Sequence, residues 1–493
     1  MTPGAQLAAA IDILVEIESG ERPADDAAAD YFRRRRYIGA KDRTHIAGHL
    51  YATLRYRSAL DWWIARVGGG AVAADPRSRA FAALILAEGW GSHAVAAACD
   101  GDRFRPAPLN SAELRLVSRL EGRSLHHPEM PRAVANDVPD WLLPHLERAF
   151  GTGLEREMAA LNMPAAIDLR VNRLKADRET ARRALAAEGV AAEPTPLSPL
   201  GLRLARRVPL SGLAAFKAGL FDVQDEGSQL AALMAGARPG MRVVDFCAGA
   251  GGKTLALAAG MANHGKLVAC DISAYRLERA ARRLRRAGVT NVERRILSSE
   301  RDKWVKRHGK SFDRVFVDAP CLGTGTWRRN PDAKWRSRPA DLAELVARQQ
   351  EILCSAARLV RPGGRLVYVT CSILREEDEA QAEDFLAAEP DFALVPAVQA
   401  WRETIGGSSP AGRDYLLLTP ARHGTDGFFV AIFERRPALP AAPGCGDSIT
   451  LPDLPDPSSR GAPASTRADA AMTAKVPREA VIAGSAATKQ SSP

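Results

Sequence analysis

At 493 residues the chain is longer than one ordinary domain, so roughly two to four domains are expected. Its composition, 46% hydrophobic and 26% charged, is typical of a globular protein, and no charge-free apolar stretch is long enough for a membrane span. The net charge of +10 favours a polyanionic partner, while seven scattered cysteines without zinc-ligand spacing predict neither a metal site nor a disulfide framework.

The first 130 residues are rich in Ala, Leu and Arg, and their apolar positions recur at helical spacing, for example in Ile46–Leu54. We therefore predict an all-helical domain over residues 1–130. The apolar stretch Leu7–Ile17 is interrupted by Asp12 and Glu16, which predicts an amphipathic helix rather than a signal peptide. A cytoplasmic location is the expectation that follows.

A second block, residues 136–220, mixes short strands with a helix. Ile167–Asn172 alternates as a strand does, Arg178–Glu188 is helical in pattern, and Gly201–Leu204 predicts another short strand. This pattern predicts a small α+β module.

From residue 221 to 436 short apolar strands alternate with helices. The predicted strands are Arg242–Phe246, Lys266–Asp271, Val292–Leu297, Phe312–Asp318, Arg365–Cys371 and Gly427–Glu434. Nearly continuous apolar strands separated by helices predict an α/β domain with a doubly wound, mostly parallel sheet, whose site lies beyond the carboxyl ends of the strands. The remaining segment, 437–493, is rich in proline and lacks aromatic residues, which predicts a disordered tail.

The strongest motif is the segment Val243–Thr254, which predicts a strand, a turn of small residues and then a helix. Small residues let a ligand approach the backbone, and the helix N-terminus offers free amides. A Walker A loop would need glycine where Cys247 stands, and a dinucleotide fingerprint would need glycine at Thr254. The remaining pattern is that of S-adenosylmethionine, in which Asp271, at the end of the next strand, accepts hydrogen bonds from the ribose hydroxyls. The alternative is an ordinary turn in which Asp271 only caps a helix.

Two neighbouring strands end in thiols. The fourth strand leads into Asp318-Ala319-Pro320-Cys321, and the fifth ends at Cys371. A thiolate that adds to C6 of cytosine makes C5 nucleophilic enough to accept a methyl group, and an acid at N3 absorbs the charge. Lys253 or a cationic cofactor would favour the thiolate. Both cysteines could instead be small buried hydrophobes, but two thiols beside a carboxylate and a cofactor loop favour the chemical role.

The chain resembles the RsmB/Sun (Nop/Sun) family of RNA cytosine-5 methyltransferases, in the manner of its ribosomal members, over roughly residues 135–435. The segments that carry the resemblance are Asp245–Thr254, Asp318–Cys321 and Thr370–Ser372, supported by Leu169–Asn172 with Lys175, Val223–Gln229 and Gly424–Phe429. The first 130 residues resemble more loosely the NusB-like helical domain of those ribosomal members. The resemblance thus implies a Rossmann-like class I methyltransferase domain over 221–436, preceded by a small RNA-binding module.

The resemblance also implies roles for individual residues. Cys371 would be the nucleophile, Cys321 would assist release of the methylated RNA, and Asp318 would contact both the cofactor region and the cytosine. The residues implied to hold S-adenosylmethionine are Cys247, Ala248, Gly249, Ala250, Gly251, Gly252, Lys253, Asp271, Arg276 and Asp318.

The chain departs from the family's pattern in two places. Gly249-Ala250 replaces the usual Ala-Pro pair of the loop, which leaves backbone approach possible but loosens the loop. The aspartate that usually holds the adenine amino group is missing after the third strand, where Ser298 or Ser299 would have to replace it.

Basic residues near the site lead to two further expectations. We expect Trp327-Arg328-Arg329 to lie at the mouth of the site and to grip phosphates and an unstacked base. The arginines of the helix after Asp271, other than Arg276, are expected to form a solvated helix face.

Several alternatives stay open at the level of sequence. In DNA cytosine-5 methyltransferases the nucleophile would be the cysteine after Asp-Ala-Pro, and the segment Thr370–Ser372 disfavours that class. A non-catalytic RNA-binding or ribosome-assembly factor is another possibility. Ribosomal RNA is the favoured substrate and transfer RNA the alternative; a monomer is the default expectation.

Overall fold

The computed structural model of the protein describes residues 1–20 and 22–437. The predicted tail, 437–493, therefore lies outside the described residues except for its first position. No helix in the described ranges is both long and apolar enough to cross a membrane.

The first part of the chain is helical, as predicted, and its apolar side chains form one hydrophobic core that extends from Leu7 to Met130. Local sequence sets where these helices begin: the Asn110 side chain accepts the Glu113 amide, and Glu113 in turn accepts the Asn110 amide. The helices are α1 (Pro3–Glu18), α2 (Ala24–Arg34), α3 (Ala40–Arg55), α4 (Arg57–Gly68), α5 (Pro76–Leu86), α6 (Ser92–Ala98), α7 (Ser111–Leu120) and α8 (Arg132–Ala135).

Two further helices, α9 (Leu143–Phe150) and α10 (Leu154–Leu161), follow the 3-10 turn Asp140–Leu142. The sequence pattern grouped them with the small module. Their apolar side chains instead share a core with Trp327 and Ile373, which belong to the large α/β domain. These helices therefore pack on the domain that carries the site.

The small module contains a four-stranded antiparallel sheet in the order β2-β3-β1-β4. Its elements are β1 (Asp168–Val171), α11 (Arg178–Ala187), β2 (Ala192–Pro194), β3 (Gly201–Leu204), α12 (Ala214–Lys217) and β4 (Phe221–Val223). β4 begins at residue 221, the expected start of the next domain, and pairs with β1 in the register Val171↔Phe221. The small sheet thus continues to Val223, directly before the large domain.

The large domain is the expected α/β fold, with helices on both faces of an eight-stranded sheet. Its elements are α13 (Glu226–Met234), β5 (Arg242–Asp245), α14 (Gly252–Gly260), β6 (Lys266–Asp271), α15 (Ala274–Ala287), β7 (Val292–Ile296), α16 (Lys303–Arg307), β8 (Phe312–Asp318), α17 (Ala333–Arg336), α18 (Pro339–Ala357), β9 (Val360–Thr370), α19 (Glu379–Ala388), β10 (Phe392–Leu394), α20 (Ala397–Thr404), β11 (Leu416–Leu418), α21 (Pro420–His423) and β12 (Phe428–Arg435).

The strand order of this sheet is β10-β12-β9-β8-β5-β6-β7, with β11 paired to β12. The five strands from β9 to β7 are parallel. β12 lies on the other side of β9 and pairs with it antiparallel. Neighbouring residues Val243 and Val244 point into the cores on opposite faces, as the strand period requires. The Rossmann-like fold is confirmed. The strands β10 and β11 were not predicted, because a strand of three residues is too short to show a periodic pattern.

The helical N-terminal part docks on the segment around α17 through buried polar contacts. Lys334 is only 1% exposed, and its ammonium donates to the Arg55 carbonyl at 3.1 Å and to Asn162 Oδ1 at 2.8 Å. Burial lowers the pKa of this ammonium, and the buried Asp137 carboxylate opposes the change. Trp335 Nε1 adds a hydrogen bond to the Leu54 carbonyl. The end of α3 is thus tied to the large α/β domain.

We expect Lys334→Met to destabilise the protein by about 3 kcal/mol. The change leaves the Arg55 carbonyl and Asn162 without their buried donor and leaves Asp137 without its opposing charge. The shift of the urea midpoint measures the effect, and Lys306→Met, at an exposed lysine, is the control. Equal midpoints for both variants would contradict a structural role for this junction.

Candidate functional site

The turn after β5 has the geometry of a ligand-binding loop. Gly251 has φ +80°, and a Cβ there would lie 2.9 Å from Ala280 Cβ, so only glycine fits. Gly249 also lies in the left-handed region, at φ +54°, and its amide donates to Asp271 Oδ2 at 2.8 Å. The replacement of the family's Ala-Pro pair therefore leaves a loop that is anchored to the end of β6.

An open cavity of about 940 Å³ lies beyond the carboxyl ends of β5, β6 and β8. Nine of the ten residues expected to hold the cofactor line it: Cys247, Ala248, Gly249, Ala250, Gly252, Lys253, Asp271, Arg276 and Asp318. The tenth, Gly251, faces α15 instead. Each Asp271 oxygen accepts one backbone amide, from Gly249 or Ser273, and keeps a second lone pair for a ligand.

The wall next to Asp271, formed by the segment after β7, contains Leu297, Ser298, Ser299 and Glu300. The Ser298 hydroxyl donates to Asp302 at 2.8 Å, so it offers a ligand only its acceptor side. Glu300, which the sequence pattern did not single out, brings a carboxylate to the same wall.

The two thiols that follow β8 and β9 lie side by side. Cys321 Sγ is 3.4 Å from Cys371 Sγ. The parallel register sets Asp318 opposite Val369, so both segments leave the sheet at the same edge. A backbone bond from the Gly325 amide to the Cys371 carbonyl holds the two segments together at 2.9 Å. The hydrogen bond to Cys371, together with burial, raises the pKa of Cys321 well above its usual value.

Lys253 and Asp318 form an ion pair beside the thiols, with Nζ 2.7 Å from Oδ2. Burial alone would lower the pKa of Lys253, but Asp318 and, more weakly, Cys371 raise it, so the ammonium keeps its charge. A cation whose side chain is only 11% exposed therefore lies within electrostatic reach of Cys371.

Side chains that the sequence pattern missed hold the backbone around Cys321. Glu377 Oε1 accepts the Leu322 amide at 2.9 Å and the Gln349 side-chain amide at 3.0 Å. Gln349 also donates to the Pro320 carbonyl at 2.9 Å. The backbone carbonyl before Cys321 and the backbone amide after it are thus both bound by the fully buried pair Gln349 and Glu377. No local sequence signal could have indicated this contact.

The remaining described cysteines lack such an arrangement. Burial raises the pKa of Cys99 to about 11 and raises the pKa values of Cys270 and Cys354. The pKa of Cys247 is raised most by burial and further by Asp245. Thiols of this kind stay protonated and unreactive.

The expectation for Trp327-Arg328-Arg329 is wrong for Trp327 and Arg328, whereas Arg329 does line the cavity. Trp327 is 1% exposed and packs in the core with α9 and α10. Arg328 and Arg329 both pair with Asp426, and Arg329 also pairs with Asp225 at 2.9 Å. The segments Val223–Gln229 and Gly424–Phe429, which carried part of the resemblance, meet at this buried network.

The comparisons with known proteins agree with this geometry. A family model described as 16S rRNA methyltransferase RsmB/F matches residues 232–434, and one for the RsmF/B-like ferredoxin-like domain matches residues 138–211. The ribosomal RNA small subunit methyltransferase B of Xylella fastidiosa (strain 9a5c) is 34% identical over 403 residues, which cover 79% of this chain and 91% of that protein. The chain belongs to the RsmB/F methyltransferase family.

Two other relatives of the RsmB/F family align over less of their length. The probable enzyme of Synechocystis is 34% identical over 60% of this chain, and the Pasteurella multocida enzyme is 36% identical over 59%. These alignments span 66% and 64% of those proteins. Among solved structures, PH0851 has a TM-score of 0.70 at 27% identity, covering 88% of this chain and 99% of that one.

S-adenosylmethionine is the cofactor of this family, and the residues present fit it. Asp271 offers two acceptors for ribose hydroxyls, and a Cβ at Gly249 would meet no atom within 4 Å, so the loop leaves room for a ligand. Apolar contact for a flat base is available from Ile272, Leu297 and Ile352.

Asp245, at the end of β5, is fully buried, accepts the Thr254 hydroxyl at 2.6 Å and has an unpartnered Oδ1. Burial raises the pKa of Asp245 to about 7. Because the folded pKa lies above that of the unfolded chain, the stability this group contributes is present below about pH 4 and is lost as pH rises through about 7.

We expect Asp245→Asn to remove this pH dependence. Relative to wild type, the variant should gain stability between pH 5 and 8, by about 2.5 kcal/mol. Urea denaturation at both pH values measures the difference, with Glu344→Gln, at an exposed carboxylate, as the control. If the difference in stability between variant and wild type stays constant across this pH range, Asp245 is ionised when buried.

Proposed function

We propose that the chain transfers a methyl group from S-adenosylmethionine to C5 of a cytosine in RNA, with Cys371 as the nucleophile. The observation that carries this proposal is the pair of thiols 3.4 Å apart, next to the ion pair of Lys253 and Asp318 and to the cofactor cavity. Binding the cofactor requires only hydrogen-bond acceptors. Two adjoining thiols suit a reaction in which one sulfur attacks the base and the other assists its release.

The chemistry of the site follows from these groups. Cys371 adds to C6 as the thiolate, and the hydrogen-bonded Lys253–Asp318 pair supplies the proton that N3 takes up. The bound cofactor supplies an electrophilic methyl group to the C5 carbon that this addition activates. The C5 proton then passes to solvent water, the C6–S bond breaks with its electron pair staying on Cys371, and N3 returns its proton to the Lys253–Asp318 pair. The adjoining Cys321 is assigned to assist this release.

The substrate is inferred from charge and from the relatives. A net charge of +10 suits a polyanion. The relatives in Xylella and Pasteurella are named for small-subunit ribosomal RNA, so we propose ribosomal RNA, with transfer RNA as the alternative. The target base must leave its stack to reach a thiol beside the cavity.

The contact with the adenine amino group is assigned to the wall of Ser298, Ser299 and Glu300. A carboxylate accepts an amino N–H more strongly than a hydroxyl does. Glu300 therefore replaces the aspartate that the family pattern places after the third strand.

We expect Asp271→Ala to weaken S-adenosylmethionine binding at least about tenfold, because a hydrogen bond to a charged acceptor contributes about 1.5–3 kcal/mol. Titration calorimetry with the full chain measures the affinity. Glu278→Ala, on the outer side of α15 and away from the cavity, is the control. Unchanged affinity in Asp271→Ala would place the ribose elsewhere.

The decisive test compares Cys371→Ala, Cys321→Ala and the control Cys354→Ala on cellular RNA with labelled S-adenosylmethionine. We expect Cys371→Ala to lose methyl transfer by at least about 1,000-fold and to form no denaturant-resistant RNA adduct. Cys321→Ala should accumulate that adduct, because attack proceeds but release is impaired. Cys354→Ala should behave as wild type.

Other outcomes separate the alternatives. If Cys321→Ala abolishes the adduct and Cys371→Ala accumulates it, the roles are reversed, as in the DNA-type enzymes. Cofactor binding by wild type without methyl transfer to any RNA would support a non-catalytic RNA-binding factor.

A further inference from the structure

Three arginines of α15, Arg276, Arg279 and Arg282, follow one another at intervals of three residues and are exposed. Residues three apart are neighbours on a helix surface. In residues 1–20 and 22–437, none of the three forms an ion pair with a carboxylate. Arg283 and Arg286 on the same helix differ, because both bind Asp222, at 2.9 and 3.0 Å, so the expectation of a solvated face is wrong for these two.

The exposed arginines line a path that leads away from the cofactor cavity. Arg276 lines that cavity, and Arg279 and Arg282 line a second hollow of about 480 Å³. The two hollows share Val223, Ala250 and Arg283 as lining residues, so they adjoin.

An exposed aromatic ring lies on the same helix. Tyr275 is 73% exposed, and the Arg279 guanidinium is 5.9 Å from the centroid of its ring. Ile272, which lines the cofactor cavity, is 66% exposed, and Val223, which lines both hollows, is 43% exposed. Unpaired cations beside an exposed aromatic ring are what proteins use to hold the phosphates and bases of a single strand.

We propose that Tyr275, Arg279 and Arg282, here called the arginine track, bind a single-stranded segment of the RNA next to the target nucleotide. This inference rests on the proposed function, because it takes RNA as the substrate. The guanidinium groups contact phosphates, and Tyr275 stacks on a base. A duplex does not fit this surface, because its bases are paired and stacked on one another and cannot stack on the Tyr275 ring.

The test measures the affinity of full-length protein for a short labelled single-stranded RNA over a range of salt concentrations. The variants are Arg279→Ala/Arg282→Ala, Tyr275→Ala and the control Arg285→Ala, an exposed arginine of α15 that lines neither hollow. A plot of log K against log salt concentration has a negative slope. In the double variant this slope should be shallower by about 1.4, or about 0.7 for each lost phosphate contact. Tyr275→Ala should weaken binding about fivefold or more with the slope unchanged.

A double variant with the slope of Arg285→Ala would overturn the inference. So would a duplex of the same sequence that binds wild type as tightly and loses affinity equally in the variants. Variants that bind naked RNA normally but fail to methylate ribosomal subunits would instead identify a protein-binding surface. Methyl transfer by wild type to RNA is measured alongside: its absence refutes the proposed function, whereas its presence with unaffected variants refutes only the track.

Discussion

The site depends on the parallel pairing of β8 with β9. In a parallel pair both strands run toward the same edge, so residues that follow them in sequence meet in space although some 50 positions separate them. The register that sets Asp318 against Val369 brings Cys321 and Cys371 within 3.4 Å. A slip of this register by one residue would turn the side chains of one strand to the other face and separate the thiols. The packed helices on both faces prevent such a slip.

Buried polar groups stiffen the surroundings of these thiols. Glu377 and Gln349 bind the backbone on both sides of Cys321, and Asp426 binds Arg328 and Arg329 at the edge of the cavity. Burying such groups is favourable only when they are paired, and paired groups in a low-dielectric interior hold one geometry. As a consequence, the loop residues around the two sulfur atoms are held in one geometry, although loops are usually mobile.

Buried polar contacts also connect the small sheet and the N-terminal helices to the large α/β domain. The small sheet reaches the cofactor loop through Asp222, which binds Arg283, while Arg283 donates to the Ala250 carbonyl at 2.9 Å. The N-terminal helices reach the catalytic domain through Lys334. Regions that would contact RNA far from the target base are therefore mechanically connected to the loops that hold the cofactor and Cys321. In the proposed reaction, such connections serve to position the target base with binding energy from distant contacts.

The sequence alone determined the parts that depend on short-range spacing. A strand followed by small residues and a helix start predicts the cofactor loop, and acids or thiols directly after strands predict a shared edge, because the carboxyl ends of parallel strands converge. The burial of Trp327, the pairing of Arg283 and Arg286 with Asp222, the fourth strand of the small sheet and the Gln349–Glu377 pair were decided only by the tertiary structure. Each of these depends on a partner distant in sequence, and neither periodicity nor local spacing records which charged or aromatic side chain will find such a partner.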